Sequence, residues 1–133
     1  MQAGVGELAA KPAGFQLGHG RKLRHILAGD QLLGGARVLL YPIQFPEAFG
    51  LVLVEAMLCG TPVAAMRLGA APEIVDDGIT GYTAGSAAEF AEAAAKCLGL
   101  DRRKIRQQAE TRFSPGRMAR EYARVYEEVA ARK

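Results

Sequence analysis

Apolar residues in this chain follow two rhythms. Three short, nearly unbroken runs, Arg37 to Tyr41, Pro62 to Met66 and Ile79 to Thr83, are bounded by glycine or proline. Runs of this length between such breakers predict strands buried on both faces, as in a parallel sheet. Pro62 is tolerated as the first residue of its strand. Elsewhere the apolar positions recur at helical spacing. Lys22 to Leu33 carries Leu23, Ile26, Leu27 and Leu33, and Gly34-Gly35 stops it. Phe49 to Leu58 predicts a helix ended by Gly60. Pro72 to Val75 predicts a helical turn with proline at its first position.

The C-terminal third is punctuated by caps. Ser86, with Glu89 three residues on, is a capping box opening a helix to about Leu98. Asp101 caps a second helix to about Thr111. Ser114-Pro115 opens the last, whose Met118, Tyr122, Val125, Tyr126 and Val129 keep the 3.6-residue period. Strands alternating with helices predict an α/β fold, a parallel sheet with flanking helices. Residues 1–20, with five glycines and a short strand at most over Phe15 to Leu17, form a weakly structured lead-in. Residues 21–113 form the lobe, and residues 114–133 a C-terminal helix packed on it.

At 133 residues the chain holds about one domain. Half of its residues are hydrophobic, enough for a core and too many for a disordered chain. No run approaches the roughly 20 apolar residues of a membrane-spanning helix. Two cysteines, Cys59 and Cys97, exclude a disulfide-rich scaffold and a four-cysteine zinc site. With no secretory signal at Met1 to Ala10, the expected compartment is reducing and cytoplasmic.

Charge is uneven. Residues 1–95 hold six Lys/Arg and nine Asp/Glu, whereas residues 96–133 hold eleven and five. A basic surface of this kind attracts phosphate, nucleic acid or an anionic membrane. No nucleic-acid motif or stacking-aromatic pattern accompanies it, so no nucleic-acid partner is expected, and a membrane surface has no further support. The basic stretch is read as a solvated helix face. His19 and His25 carry no motif; Arg67, after the second strand, is placed either to reach an anionic ligand or to pair with an acid.

The chemically informative stretch runs from Tyr41 to Pro62. A strand ends, a loop carries Glu47, and a helix begins near Phe49-Gly50-Leu51. In parallel α/β sheets ligands sit outside the carboxyl ends of the strands. The first helical amides lack intrahelical partners and, with the helix dipole, favour an anionic or hydroxyl-rich ligand. Gly50 presents no side chain to block them. Glu47 can accept hydrogen bonds from sugar hydroxyls. Glu55 lies on an otherwise apolar helix, where a buried carboxylate needs a partner. Taken alone, such a glutamate is more often paired to an arginine at the core's edge than bound to a ligand.

Together these residues resemble a known family. Glu47-Ala48-Phe49-Gly50-Leu51-Val52-Leu53-Val54-Glu55, followed by Ala56-Met57 and Cys59-Gly60-Thr61-Pro62, is similar to the paired-glutamate signature of retaining glycosyltransferases of family 4 (group 1). Leu33-Gly34-Gly35-Ala36-Arg37 before it, and Gly69 to Gly81 after it, match as well. The resemblance implies a Rossmann-like, partial C-terminal lobe of a GT-B fold. It implies that Glu47, the catalytic candidate, contacts the donor sugar. Phe49, Gly50, Leu51 and Val52 would hold sugar and diphosphate, and Glu55 the ribose. No metal and no cofactor are implied; a nucleotide-diphosphate sugar is the donor substrate.

Two departures stand out. The family usually has proline after the first glutamate, where this chain has Ala48. Upstream, only Lys11, Arg21, Lys22 and Arg24 are available to neutralise a diphosphate. The N-terminal acceptor-binding lobe is expected to be missing, leaving a donor-binding portion inactive alone. The alternative is a non-catalytic stand-alone module of the same fold that acts by self-association, as an open sheet edge would favour, or by partner binding. An epimerase or phosphorylase of the same fold fits the glutamate pair less well.

Overall fold

The computed structural model describes residues 31–132. The lead-in, its short strand, His19, His25 and the four upstream basic residues lie outside them. Residues 31–35 are helical. Then follow β1 (Leu39–Tyr41), α1 (Leu51–Leu58), β2 (Val63–Met66), α2 (Ala71–Ile74), β3 (Gly81–Ala84), α3 (Ala87–Cys97), α4 (Arg102–Arg112) and α5 (Pro115–Ala131).

The strands form a parallel sheet in the order β1-β2-β3, with Leu39 opposite Val63 and Val63 opposite Gly81. Alternation along β2 divides the core into two layers. Val63 and Ala65 join Leu53, Ala56 and Met57 of α1, Ile74 of α2, and Ile105 and Ala109 of α4. Ala64 faces the other way, with Ala84, Ala93 and Cys97, under Tyr82 and Phe90. The result is a three-layer, Rossmann-like α/β arrangement, as the alternating sequence pattern predicts.

Element boundaries shift for local reasons. The middle helix starts at Leu51 rather than Phe49, because Gly50 adopts φ +79° and a left-handed residue cannot continue a right-handed helix. The third strand starts at Gly81, because Ile79 and Thr80 both donate to the Asp76 carbonyl and close a turn first. Gly81 is required by packing: a Cβ there would lie 1.9 Å from the Val63 carbonyl oxygen.

The three predicted caps form. Ser86 Oγ accepts from the Glu89 amide, and Glu89 reaches back to the Gly85 amide at 2.7 Å. Asp101 accepts from the Arg103 amide, and Ser114 from the Arg117 amide.

The basic stretch is only partly a solvated face. Arg102 donates to the carbonyls of Gly34 and Ala36, both at 2.7 Å, and to Thr61 Oγ1 at 2.9 Å. Arg112 donates to the carbonyls of Glu73 and Ile74 and pairs with Asp76 at 2.7 Å. Each guanidinium thus closes the carbonyl end of a helix belonging to another part of the chain, where cations are favoured.

The last helix departs from expectation. No residue of α5 is buried, and its apolar stripe stays open, with Met118 60% and Tyr126 70% exposed. The expected packing of residues 114–133 on the lobe is not realised among the described residues.

Candidate functional site

Tyr41 is the last residue of β1, so the loop after it leaves from the carboxyl edge of the sheet. Glu47 sits in that loop, partly exposed. Its Oε2 accepts from the Tyr41 hydroxyl at 2.8 Å, and its Oε1 from the Ala48 amide at 3.0 Å. The Tyr41 hydroxyl holds the carboxyl below its ordinary range. Partial burial pushes the other way, and the Phe49 and Ala48 amides again favour the charged form. The Tyr41 phenol is raised in turn, chiefly by that same bond, with burial and the nearby charge adding to it. Glu47 is therefore ionised at neutral pH and can only accept hydrogen bonds.

Gly50 is the N-cap of α1, and no side chain caps this helix. The Leu53 amide is taken by the Gly50 carbonyl at 3.0 Å, whereas Leu51 and Val52 precede any intrahelical acceptor. Gly50 itself is buried against Leu53, but among the described residues its neighbours at this start stay accessible. Phe49 is 45% and Leu51 67% exposed, and Val52 is half-buried. Ionised Glu47 and the opening amides of α1 thus sit together on an accessible surface.

Glu55 lies one turn beyond Leu51 on the same helix face, and that face is the exposed one. The buried face carries Leu53, Val54, Ala56 and Met57. Among the described residues the Glu55 side chain makes no hydrogen bond or ion pair, so it is not an arginine-paired group at the core's edge.

Two depressions lie away from this helix start. One, of about 140 Å³, is lined by Arg37, Pro62, Cys97, Leu98, Leu100 and Arg102. The other, of about 240 Å³, lies between Arg67, Tyr82, Glu89 and Lys96. Arg67 is engaged locally, by donation to the hydroxyl and carbonyl of Thr83. Burial pushes the Cys97 thiol up to about 11. Among the described residues, no cluster of three or more His, Cys, Asp or Glu forms, and no helix is long and apolar enough to cross a membrane.

Tyr41 and Gly69 lie in stretches the sequence marks, but sequence reasoning gave neither a role at the site. Tyr41 reads as the end of a strand, and only its place at the carboxyl edge hints at a polar role. Gly69 opens a stretch that matches the family, but its contact with the Glu47 backbone lies too far off in sequence to be read locally.

The family model described as glycosyl transferases group 1 matches residues 19–99, more than half of the chain. The chain belongs to this family. Relatives match over shorter stretches. N-acetyl-alpha-D-glucosaminyl L-malate synthase of Bacillus anthracis is 56% identical over 36 residues, 27% of this chain and 9% of the relative. D-inositol 3-phosphate glycosyltransferase of Mycobacterium avium is 48% identical over 50 residues, 38% of this chain and 12% of the relative. Sucrose synthase of Acidithiobacillus caldus is 44% identical over 69 residues, 45% of this chain and 9% of the relative.

A solved structure, Anabaena HepE in complex with UDP-glucose, aligns with a TM-score of 0.57 and 28% identity over 74% of this chain and 29% of that chain. These matches bear out the resemblance to a C-terminal lobe of a group 1 glycosyltransferase. The chain spans about a tenth of the length of these curated relatives.

Proposed function

We propose that this group 1 chain is the donor-binding portion of a retaining glycosyltransferase and holds a nucleotide-diphosphate sugar at the start of α1. The observation that carries the reading is the helix start without a side-chain cap, opened by left-handed Gly50 between ionised Glu47 and exposed Glu55. Glu47 accepts from sugar hydroxyls and supplies negative charge beside an oxocarbenium-like transition state. The Phe49, Gly50, Leu51 and Val52 amides, with the helix dipole, carry the charge of the diphosphate without a metal ion. Glu55 accepts from the two ribose hydroxyls. Solution of HepE with UDP-glucose supports this class of ligand.

Calorimetric titration with UDP-glucose and other nucleotide sugars tests the reading. Saturable binding is expected, weakened roughly 10- to 100-fold in Glu55→Ala, the worth of hydrogen bonds to a charged group. Absence of binding to any nucleotide sugar would refute it. The exposed stripe of α5 favours a second reading, a non-catalytic module that self-associates. A stable dimer by analytical ultracentrifugation, with no nucleotide-sugar binding, would select that reading instead.

A further inference from the structure

Glu47 lies in a loop, and an isolated loop glutamate samples many rotamers and backbone positions. Here it is held at both its side chain and its backbone. The Tyr41 hydroxyl donates to Oε2 at 2.8 Å from the rigid end of β1, while the Ala48 amide donates to Oε1 at 3.0 Å. The two carboxylate oxygens offer about four lone-pair directions, and with Tyr41, Ala48 and Phe49 as donors one is left for a ligand hydroxyl.

The backbone is held by the loop after β2. The Ala70 amide donates to the Glu47 carbonyl at 2.9 Å. Gly69, at φ +56°, lies so close that a Cβ there would meet the Glu47 carbonyl oxygen at 2.3 Å and the Glu47 nitrogen at 2.4 Å. These obstacles are backbone atoms and not flexible side-chain ends. No side chain fits at Gly69 without moving Glu47.

We infer that Tyr41 and the Gly69–Ala70 loop are positioning residues, which fix the Glu47 carboxylate beside the start of α1 so that it distinguishes a sugar-bearing nucleotide from the bare nucleotide. The consequence for ligands rests on the donor-binding reading; the fixation of Glu47 does not. Tyr41 acts through its hydroxyl, which Tyr41→Phe removes with the ring retained. Gly69→Ala acts on the backbone alone. The two substitutions reach one carboxylate from different elements and should produce the same selective loss.

The test uses the full chain. With glutamate carboxyls labelled with carbon-13, and Glu47→Gln used to assign the resonance, the Glu47 titration midpoint is followed by NMR. Tyr41→Phe should move it upward toward the ordinary 4.5. In parallel, UDP-glucose and UDP are titrated by calorimetry. Tyr41→Phe should weaken UDP-glucose about fivefold, the usual worth of one hydrogen bond, and leave UDP within about twofold. Gly69→Ala, if it melts cooperatively, should show the same selective loss.

An unmoved midpoint in Tyr41→Phe overturns the inference. Equal weakening of UDP and UDP-glucose also overturns it, because that marks a structural role. If the unsubstituted chain binds neither ligand, the donor-binding reading fails for this nucleotide sugar, and the midpoint alone decides whether Tyr41 fixes Glu47.

Discussion

Gly50→Ala perturbs the helix start without touching a charge. Gly50 sits at φ +79°, and the left-handed region costs an alanine roughly 1–2 kcal/mol relative to glycine. Its new Cβ would meet Leu53 Cδ1 at 3.1 Å and Glu47 Cγ at 3.4 Å. Leu53 is fully buried, so it yields only by disturbing the core. About 2 kcal/mol in all is a large share of the roughly 5–15 kcal/mol that a domain holds. For a lobe of about 100 residues it lowers Tm by roughly 8–16 °C.

Differential scanning calorimetry measures this directly. Gly116→Ala is the control, because Gly116 lies inside the first turn of exposed α5, where alanine is the better helix former. The same chemical change should there raise helix content by circular dichroism and leave the lobe's transition in place. A Gly50→Ala chain that melts within about 1 °C of the parent would refute the left-handed opening of α1.

Gly81→Ala should be worse. Its Cβ would lie 1.9 Å from the Val63 carbonyl, inside the β2–β3 pairing, and a loss of about 3 kcal/mol or more should show as unfolding at lower urea. Arg112→Ala leaves the Glu73 and Ile74 carbonyls and Asp76 without their shared donor. A cost of about 1–2 kcal/mol is expected, with faster hydrogen exchange in α2 than in α3. Arg124→Ala, which removes only an exposed i,i+4 pair with Glu128, should change stability by less than about 0.5 kcal/mol.

What was legible in the sequence was local. Ser86 with Glu89, Asp101, and Ser114 with Pro115 declare their helix starts because cap and amide lie within three residues. The three apolar runs declare strands because glycine and proline fence them. What escaped was tertiary. Arg102 reaches carbonyls 66 and 68 positions away, and Arg112 reaches Asp76 across 36, with nothing in the sequence between to announce either contact. The period of α5 marks an apolar face but not what covers it, and in the described residues nothing does.

Glu55 shows the same limit within one element. The composition of its helix suggests a carboxylate at the core's edge, yet the helix turns a narrow stripe of Leu51, Glu55 and Leu58 outward. Glu47 was legible as a residue and not as a geometry. The signature marks it, while the Tyr41 hydroxyl and the close approach of Gly69 that fix it come from the ends of two neighbouring strands.

The most direct measurement is a two-dimensional amide NMR spectrum of the full chain during addition of UDP-glucose. The largest saturable shifts should fall on Phe49, Gly50, Leu51 and Val52, and should fade in Glu55→Ala. Saturable shifts centred instead on the groove of Arg67, Tyr82, Glu89 and Lys96, with the start of α1 unmoved, would contradict donor binding there.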